Sequence, residues 1–166
     1  MPSQPGSLTT LLTELAASSV EFVLVGGLAA VAQGAPVTTF DVDIVHERTS
    51  ENIDSLMAFL ARVNARYRGR PGGDPLPPSR TALEGPGHSL FMTDLGPLDV
   101  LGAIEDGLSF DDLVRDSVSI DLEGHSVRVL SLAAIIRIKR RSTHPKDQQA
   151  LPVLEEALRQ LTESGD

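Results

Sequence analysis

Val25-Gly26-Gly27, followed by Asp41-Val42-Asp43-Ile44, is the stretch on which the reading of this chain turns. Phe22–Val25 is a short apolar run that stops at a glycine pair, the pattern of a buried strand turning at once into the next element. Asp41–Val45 alternates charged and apolar residues. Side chains two apart on a strand share a face, so Asp41 and Asp43 point together while Val42 and Ile44 point into a core. Two carboxylates so placed repel, and one takes up a proton unless a cation lies between them. Mg²⁺ favours such hard oxygen ligands. Asp99 sits between Leu98 and Val100 with the same alternation, and a third carboxylate on a neighbouring strand allows a second ion for in-line phosphoryl displacement. The glycines fit the same chemistry: bare backbone can approach a phosphate, and the free N–H groups of a following helix face the anion. Taken singly, the Asp-x-Asp strand reads as a solvated face and Gly-Gly as a turn; their joint occurrence in this order carries the inference.

Outward from this stretch, Leu8, Leu11, Leu12 and Leu15 recur at helical spacing behind Ser7, predicting a capped helix over 7–18. Leu28–Gln33 reads as a short helix closed by Gly34. Ile53, Leu56, Met57 and Leu60 predict an amphipathic helix over 50–65 with Ser50 as cap. Residues 67–88, dense in Gly and Pro, read as a long mobile loop, with a substrate lid as one role for it. Ser89–Thr93 and Leu98–Leu101 read as strands joined through Gly96-Pro97, Ser109–Arg115 as a short helix, and Val118–Leu122 and Ser126–Val129 as a hairpin across Glu123-Gly124. Ser131 caps a helix to about Arg141, and Pro145 opens a last helix over 147–162, so 131–162 forms a helical C-terminal part. The order predicts one α/β (α+β) domain over 1–166, a mixed β-sheet flanked by helices.

Apolar residues make up 41 % and charged residues 22 %, a globular balance, while aromatics reach only 4 %, leaving Leu, Val, Ile and Ala to build the core. With no cysteine, disulfides and thiolate metal sites are excluded. The N-terminus lacks the pattern of a secretory signal and no apolar run suits a membrane span, so the expected location is cytoplasmic. The net charge of −9, with basic residues gathered only at Arg62–Arg70 and Arg137–Arg141, argues against duplex DNA as a partner. A small anion held through a divalent cation is compatible with it. Tyr67-Arg68-Gly69-Arg70 reads either as a grip on an acceptor or as a solvated run. The four histidines, His46, His88, His125 and His144, show no ligand spacing and read as surface or loop residues.

Val25-Gly26-Gly27-Leu28-Ala29-Ala30-Val31, then Gly34, Pro36, Thr39 and Asp41-Val42-Asp43-Ile44, resembles the opening motif of bacterial minimal nucleotidyltransferases, among them AbiEii-like and MenT-like toxin enzymes. The resemblance continues at Leu98-Asp99-Val100-Leu101, Val129-Leu130-Ser131-Leu132, Ile135-Ile136-Arg137-Ile138-Lys139 and Pro145-Lys146-Asp147. It implies a nucleotidyltransferase fold and Mg²⁺-dependent (or Mn²⁺-dependent) transfer of a nucleoside monophosphate from an NTP such as ATP to a hydroxyl acceptor. By the same resemblance Gly26, Gly27 and Thr39 would contact the triphosphate, and Asp41 and Asp43 would hold the metal. Asp99 would be the third ligand or the base, and Lys139 and Lys146 would neutralise phosphate, with Asp147 positioning one of them. Lys139 at a helix end equally suits the helix dipole. The acceptors implied are tRNA or a protein, with a cognate antitoxin or toxin as partner, or a small molecule of the antibiotic type, which an acidic surface suits better. A catalytically silent nucleotide-binding or antitoxin-like protein is the reading from another class. Val37-Thr38 stands where the family often has a basic residue before Thr, and His144 near where it tends to have arginine.

Overall fold

The Phe22–Val25 run forms a fully buried strand, β1, and around it the chain builds one seven-stranded sheet. The computed structural model describes residues 5–69 and 75–164. In chain order the elements are α1 (Pro5–Ala17), β1 (Phe22–Val25), α2 (Gly26–Ala32), β2 (Val42–His46), α3 (Ser50–Arg62), β3 (Arg66–Tyr67), α4 (Arg80–Glu84), β4 (His88–Thr93), β5 (Gly96–Leu101), α5 (Phe110–Val114), β6 (Ser117–Leu122), β7 (His125–Leu130), α6 (Leu132–Arg141) and α7 (Pro145–Ser164). The strand order β3-β4-β5-β2-β1-β7-β6 is mixed: β1 is antiparallel to β2 and parallel to β7, and β2 is parallel to β5.

The alternation in Asp41–Val45 is realised as read. Val42 and Ile44 are fully buried, as are Leu98 and Val100 on β5, so the aspartates between them face the other way. Helix α1 packs Leu11 and Leu15 into the core against β2, β5 and β7. Each fully buried aliphatic side chain contributes about 1.5–3 kcal/mol, and these anchors fix the strand faces. At the hairpin, Glu123 (φ 51°) and Gly124 (φ 87°) both take the left-handed conformation of a primed two-residue turn, which the Glu-Gly pair had signalled.

Several expectations are corrected. Helix α1 opens at Pro5, ahead of Ser7, because proline suits a first helical turn. The cap of α3 is Thr49, whose hydroxyl accepts from the Asn52 N–H at 3.2 Å; Ser50 is already helical, and the helix ends at Arg62. Gly96 lies inside β5, and the tight connection is Asp94-Leu95. The 67–88 loop is in good part structured: β3 adds a strand beside β4, and Leu83 of α4 is buried. Tyr67 hydrogen-bonds into the segment that follows, its N–H donating to Leu76 and its hydroxyl accepting from Ser79. Pro71-Gly72-Gly73 of that stretch lies outside the described residues. His46 is buried in β2 rather than exposed; its Nε2 meets the Leu83 carbonyl at 2.7 Å and so ties α4 to the sheet, and burial holds its pKa below the ordinary imidazole value. No helix among the described residues is long and apolar enough to cross a membrane.

A buried amide fixes the β1–β2 pair from the end opposite the aspartates. Asn52 Oδ1 accepts from the Glu21 N–H at 2.7 Å, and its Nδ2 donates to the carbonyls of Glu21 (2.9 Å) and Glu47 (2.7 Å). Replacing a group so fully satisfied takes these bonds from the part-buried Glu21 N–H and Glu47 carbonyl. Asn52→Ala is expected to lower the unfolding free energy by about 2–4 kcal/mol in urea denaturation; a loss under about 1 kcal/mol would contradict this role.

Candidate active site

The register of three strands brings the site together. Asp43 stands opposite Val25 on β1 and opposite Asp99 on β5, and Asp41 immediately precedes β2. One carboxylate oxygen from each of Asp41, Asp43 and Asp99 lies within 4.8 Å of the others. Gly26, at φ +73°, is the first residue of α2 and lies against Asp43: a Cβ there would sit 2.1 Å from Asp43 Oδ2. Glycine is therefore required at 26 both by backbone conformation and by the carboxylate beside it. Gly27 leaves room for Thr39, whose Cβ and Oγ1 would each lie 3.0 Å from an added Cβ, and the Thr39 hydroxyl donates to the Asp41 carbonyl at 3.2 Å.

Packing three acids together shifts their protonation. Asp43 is pushed up to about 8, first by burial and then by the charges of Asp41 and Asp99 and a hydrogen bond with Asp99. Asp41 is also raised, first by burial and then by the Asp99 charge. Asp43 Oδ1 is buried with no hydrogen-bond partner among the described residues. An orphaned buried oxygen beside two further hard oxygen donors fits a divalent cation such as Mg²⁺.

A hollow of about 160 Å³ adjoins Asp43, lined also by Val25, Gly26, Leu101, Glu105 and Lys139 among others. Lys139 thus reaches the site from the last turn of α6, where its Nζ pairs with Asp147 Oδ1 at 3.0 Å. Asp147 Oδ2 accepts from the Ser142 hydroxyl at 2.5 Å, and this bond first, then Lys139, holds the acid below its ordinary pKa. Asp147 therefore positions a lysine, and that lysine is Lys139. Lys146 is not brought in: its side chain is exposed, and its backbone N–H donates to His144 Nδ1. A larger hollow of about 300 Å³ around Asp106, Asp116, Arg137 and Arg141 holds none of the three aspartates, and ion pairs of its own, Arg137–Asp116 and Arg141–Asp106, occupy its charges.

Arg68 is the residue at the triad that the sequence signalled least. Its Nη2 contacts Asp99 Oδ1 at 2.6 Å, placing a cation directly on the triad. Its only sequence cue was membership of the Tyr67–Arg70 run, read as acceptor grip or solvated surface.

Comparison with family profiles and with curated proteins gives no match. Solved structures do resemble the chain. The lincosamide antibiotic adenylyltransferase LnuA, lincomycin-bound, aligns over 95 % of this chain and 99 % of its own with a TM-score of 0.60 at 12 % identity. ANT(2")-Ia in complex with adenylyl-2"-tobramycin aligns over 90 % and 88 %, with a TM-score of 0.54 at 16 % identity. An antigenic nucleotidyltransferase-like protein from Paracoccidioides brasiliensis aligns over 99 % and 91 %, with a TM-score of 0.53 at 16 % identity. The chain has the nucleotidyltransferase fold. Identities this low establish the fold alone, and the fold is the one that the glycine and aspartate motifs implied. In this nucleotidyltransferase fold the three aspartates occupy one end of the β1–β2–β5 core, beside the start of α2.

The raised Asp43 gives a pH signature. Its proton is bound more tightly folded than unfolded, so its contribution to stability is complete below the unfolded value of 3.8 and is lost as pH rises toward about 8. Measured against Asp43→Asn in chelator, the wild type should therefore fall behind progressively across that range. Above pH 8 the variant should be the more stable by at least about 1.4 kcal/mol, or about 3–6 °C in Tm. Parallel melting curves at all pH values would refute the raised proton affinity of Asp43.

Proposed function

We propose that the protein is a divalent-metal-dependent nucleotidyltransferase, moving a nucleoside monophosphate from an NTP to a hydroxyl on a small molecule. The convergence of Asp41, Asp43 and Asp99 within 4.8 Å, against a glycine that could carry no side chain, is the observation that supports this reading. Asp41 and Asp43 are the ligands assigned to Mg²⁺ or Mn²⁺. Bound there, the ion would neutralise the triphosphate and polarise the α-phosphoryl group. The backbone at Gly26 and Gly27, with the Thr39 hydroxyl, faces the donor phosphates, and Lys139 adds a cation from α6, held in place by Asp147. In the transfer the acceptor oxygen bonds to the α-phosphorus and the bond from that phosphorus to the bridging oxygen breaks. Pyrophosphate leaves with the electron pair, and the hydroxyl proton passes to Asp99. Lys146 has no part in this scheme.

The small-molecule acceptor is supported by the likeness to LnuA in its lincomycin-bound form and to ANT(2")-Ia with adenylyl-2"-tobramycin, and by a net charge of −9, which favours a neutral or cationic acceptor over RNA. Transfer to tRNA or a protein, and pairing with a cognate antitoxin or toxin, rest on the sequence resemblance alone. A catalytically silent nucleotide-binding protein is the second reading, favoured by Val37 standing where a basic residue is frequent.

Label transfer from each α-labelled NTP, with Mg²⁺, into aminoglycosides, lincosamides, total RNA and total protein tests these readings together. The expected result is label in a small molecule, reduced about 100-fold or more by Asp43→Asn, since several kcal/mol of transition-state stabilisation are removed. Label in RNA or protein would reassign the acceptor. NTP binding without transfer into any of the four would give way to the silent reading.

A further inference from the structure

One of the three carboxylates already has a cation on it. Arg68 Nη2 donates to Asp99 Oδ1 at 2.6 Å, and Nη1 of the same guanidinium donates to the Phe91 carbonyl at 2.6 Å. The Arg68 N–H donates to the Leu90 carbonyl at 2.9 Å, extending the β3–β4 pairing by one residue, so the arginine is fixed at its main chain as well as at its tip. Leu90 stands directly opposite Asp99 in the β4–β5 register, and the side chain therefore has only one strand to cross. Just before it, the Tyr67 ring packs on Phe91 at 4.7 Å between centroids, holding the backbone of β3 down.

This is not an ordinary surface ion pair. The side chains of Arg68 and Asp99 are 24 % and 16 % exposed, and the second hydrogen bond to a strand carbonyl removes the freedom that makes exposed pairs weak. A guanidinium is charged at any working pH and cannot be neutralised to make way for a metal. A divalent ion that used Asp99 as a ligand would have to share the carboxylate with this guanidinium and bear its charge, whereas no ion pair holds Asp41 or Asp43 among the described residues, and Asp43 Oδ1 has no partner there.

We infer that Arg68 is a positioning residue, a resident cation that keeps Asp99 out of the divalent-ion ligand set of the nucleotide-free protein. The first ion is thereby confined to Asp41 and Asp43, and Asp99 is left available to the acceptor hydroxyl. The inference rests on the proposal that the triad binds divalent ions. It gives Arg68 a role that reduces affinity for the ion, opposite in sign to that of a residue that merely supports the site's structure.

The test is Mn²⁺ affinity of the whole chain without nucleotide, followed by the electron paramagnetic resonance signal of free Mn²⁺. Three proteins are compared: wild type, Arg68→Gln, which keeps a polar amide without the charge, and Arg68→Lys, which keeps the charge. Arg68→Gln is expected to bind Mn²⁺ at least threefold more tightly than wild type, and Arg68→Lys to stay within threefold of it. Should thermal melting show Arg68→Gln unfolded, Arg68→Met carries the same expectation. Affinity unchanged within threefold or weakened in the uncharged variant, or tightened equally by Arg68→Lys, would overturn the inference while leaving the metal site standing. No Mn²⁺ binding in any of the three would overturn both.

Discussion

Like-charge repulsion is the constraint around which this molecule is organised. Two ionised carboxylates 4.8 Å apart oppose each other by about 3.5 kcal/mol at an effective dielectric of about 20, and here three converge. Asp43 and Asp99 are held there because each is locked in phase with side chains that cannot leave the core. Val42 and Ile44 flank Asp43, and Leu98 and Val100 flank Asp99, all fully buried. Turning either aspartate away would bring its neighbours into water at about 1.5–3 kcal/mol each. The parallel β2–β5 register then sets Asp43 and Asp99 side by side. Asn52, far from the acids, fixes the β1–β2 pair that carries Gly26 up to them.

The same crowding explains the neighbours of the triad. Gly26 has no side chain because Asp43 occupies the space one would need. Asp43 favours its protonated form, principally because it is buried. Arg68 bridges Phe91 and Asp99, and Lys139 approaches from α6 while its charge is shared with Asp147. Arg68 and Lys139 are each tethered to an acid, so neither is free to offset the Asp41–Asp43 pair, which a divalent cation would draw into its fully ionised form. Such an acid pair at the end of the central strands, beside the glycine backbone of α2, suits a metal-bound polyphosphate.

What could be read from the sequence was what depends on local periodicity. Alternation placed Asp41, Asp43 and Asp99 on one face, and the Gly26-Gly27 break marked where β1 turns into α2, before any pairing of strands was known. Register was not legible: nothing local says that Asp99 would face Asp43 rather than its neighbours. Arg68 escaped because its partner Asp99 is 31 residues away and its strand is only two residues long, in a stretch whose Gly and Pro content reads as loop. His46 escaped because a single imidazole at a strand end carries no sign of burial; only the return of α4, with the Leu83 carbonyl, makes its place polar. Lys146 was drawn in by resemblance alone, and the first turn of α7 leaves it exposed while Lys139 lines the hollow.

The central claim, that this aspartate cluster holds a divalent cation, is tested most directly by anomalous diffraction from crystals soaked in Mn²⁺ with a non-hydrolysable NTP analogue. The account predicts a peak within coordination distance of both Asp41 and Asp43, with the triphosphate alongside Gly26 and Gly27. Nucleotide bound elsewhere, or a triad free of Mn²⁺ while the ion occupies other acids, would contradict it.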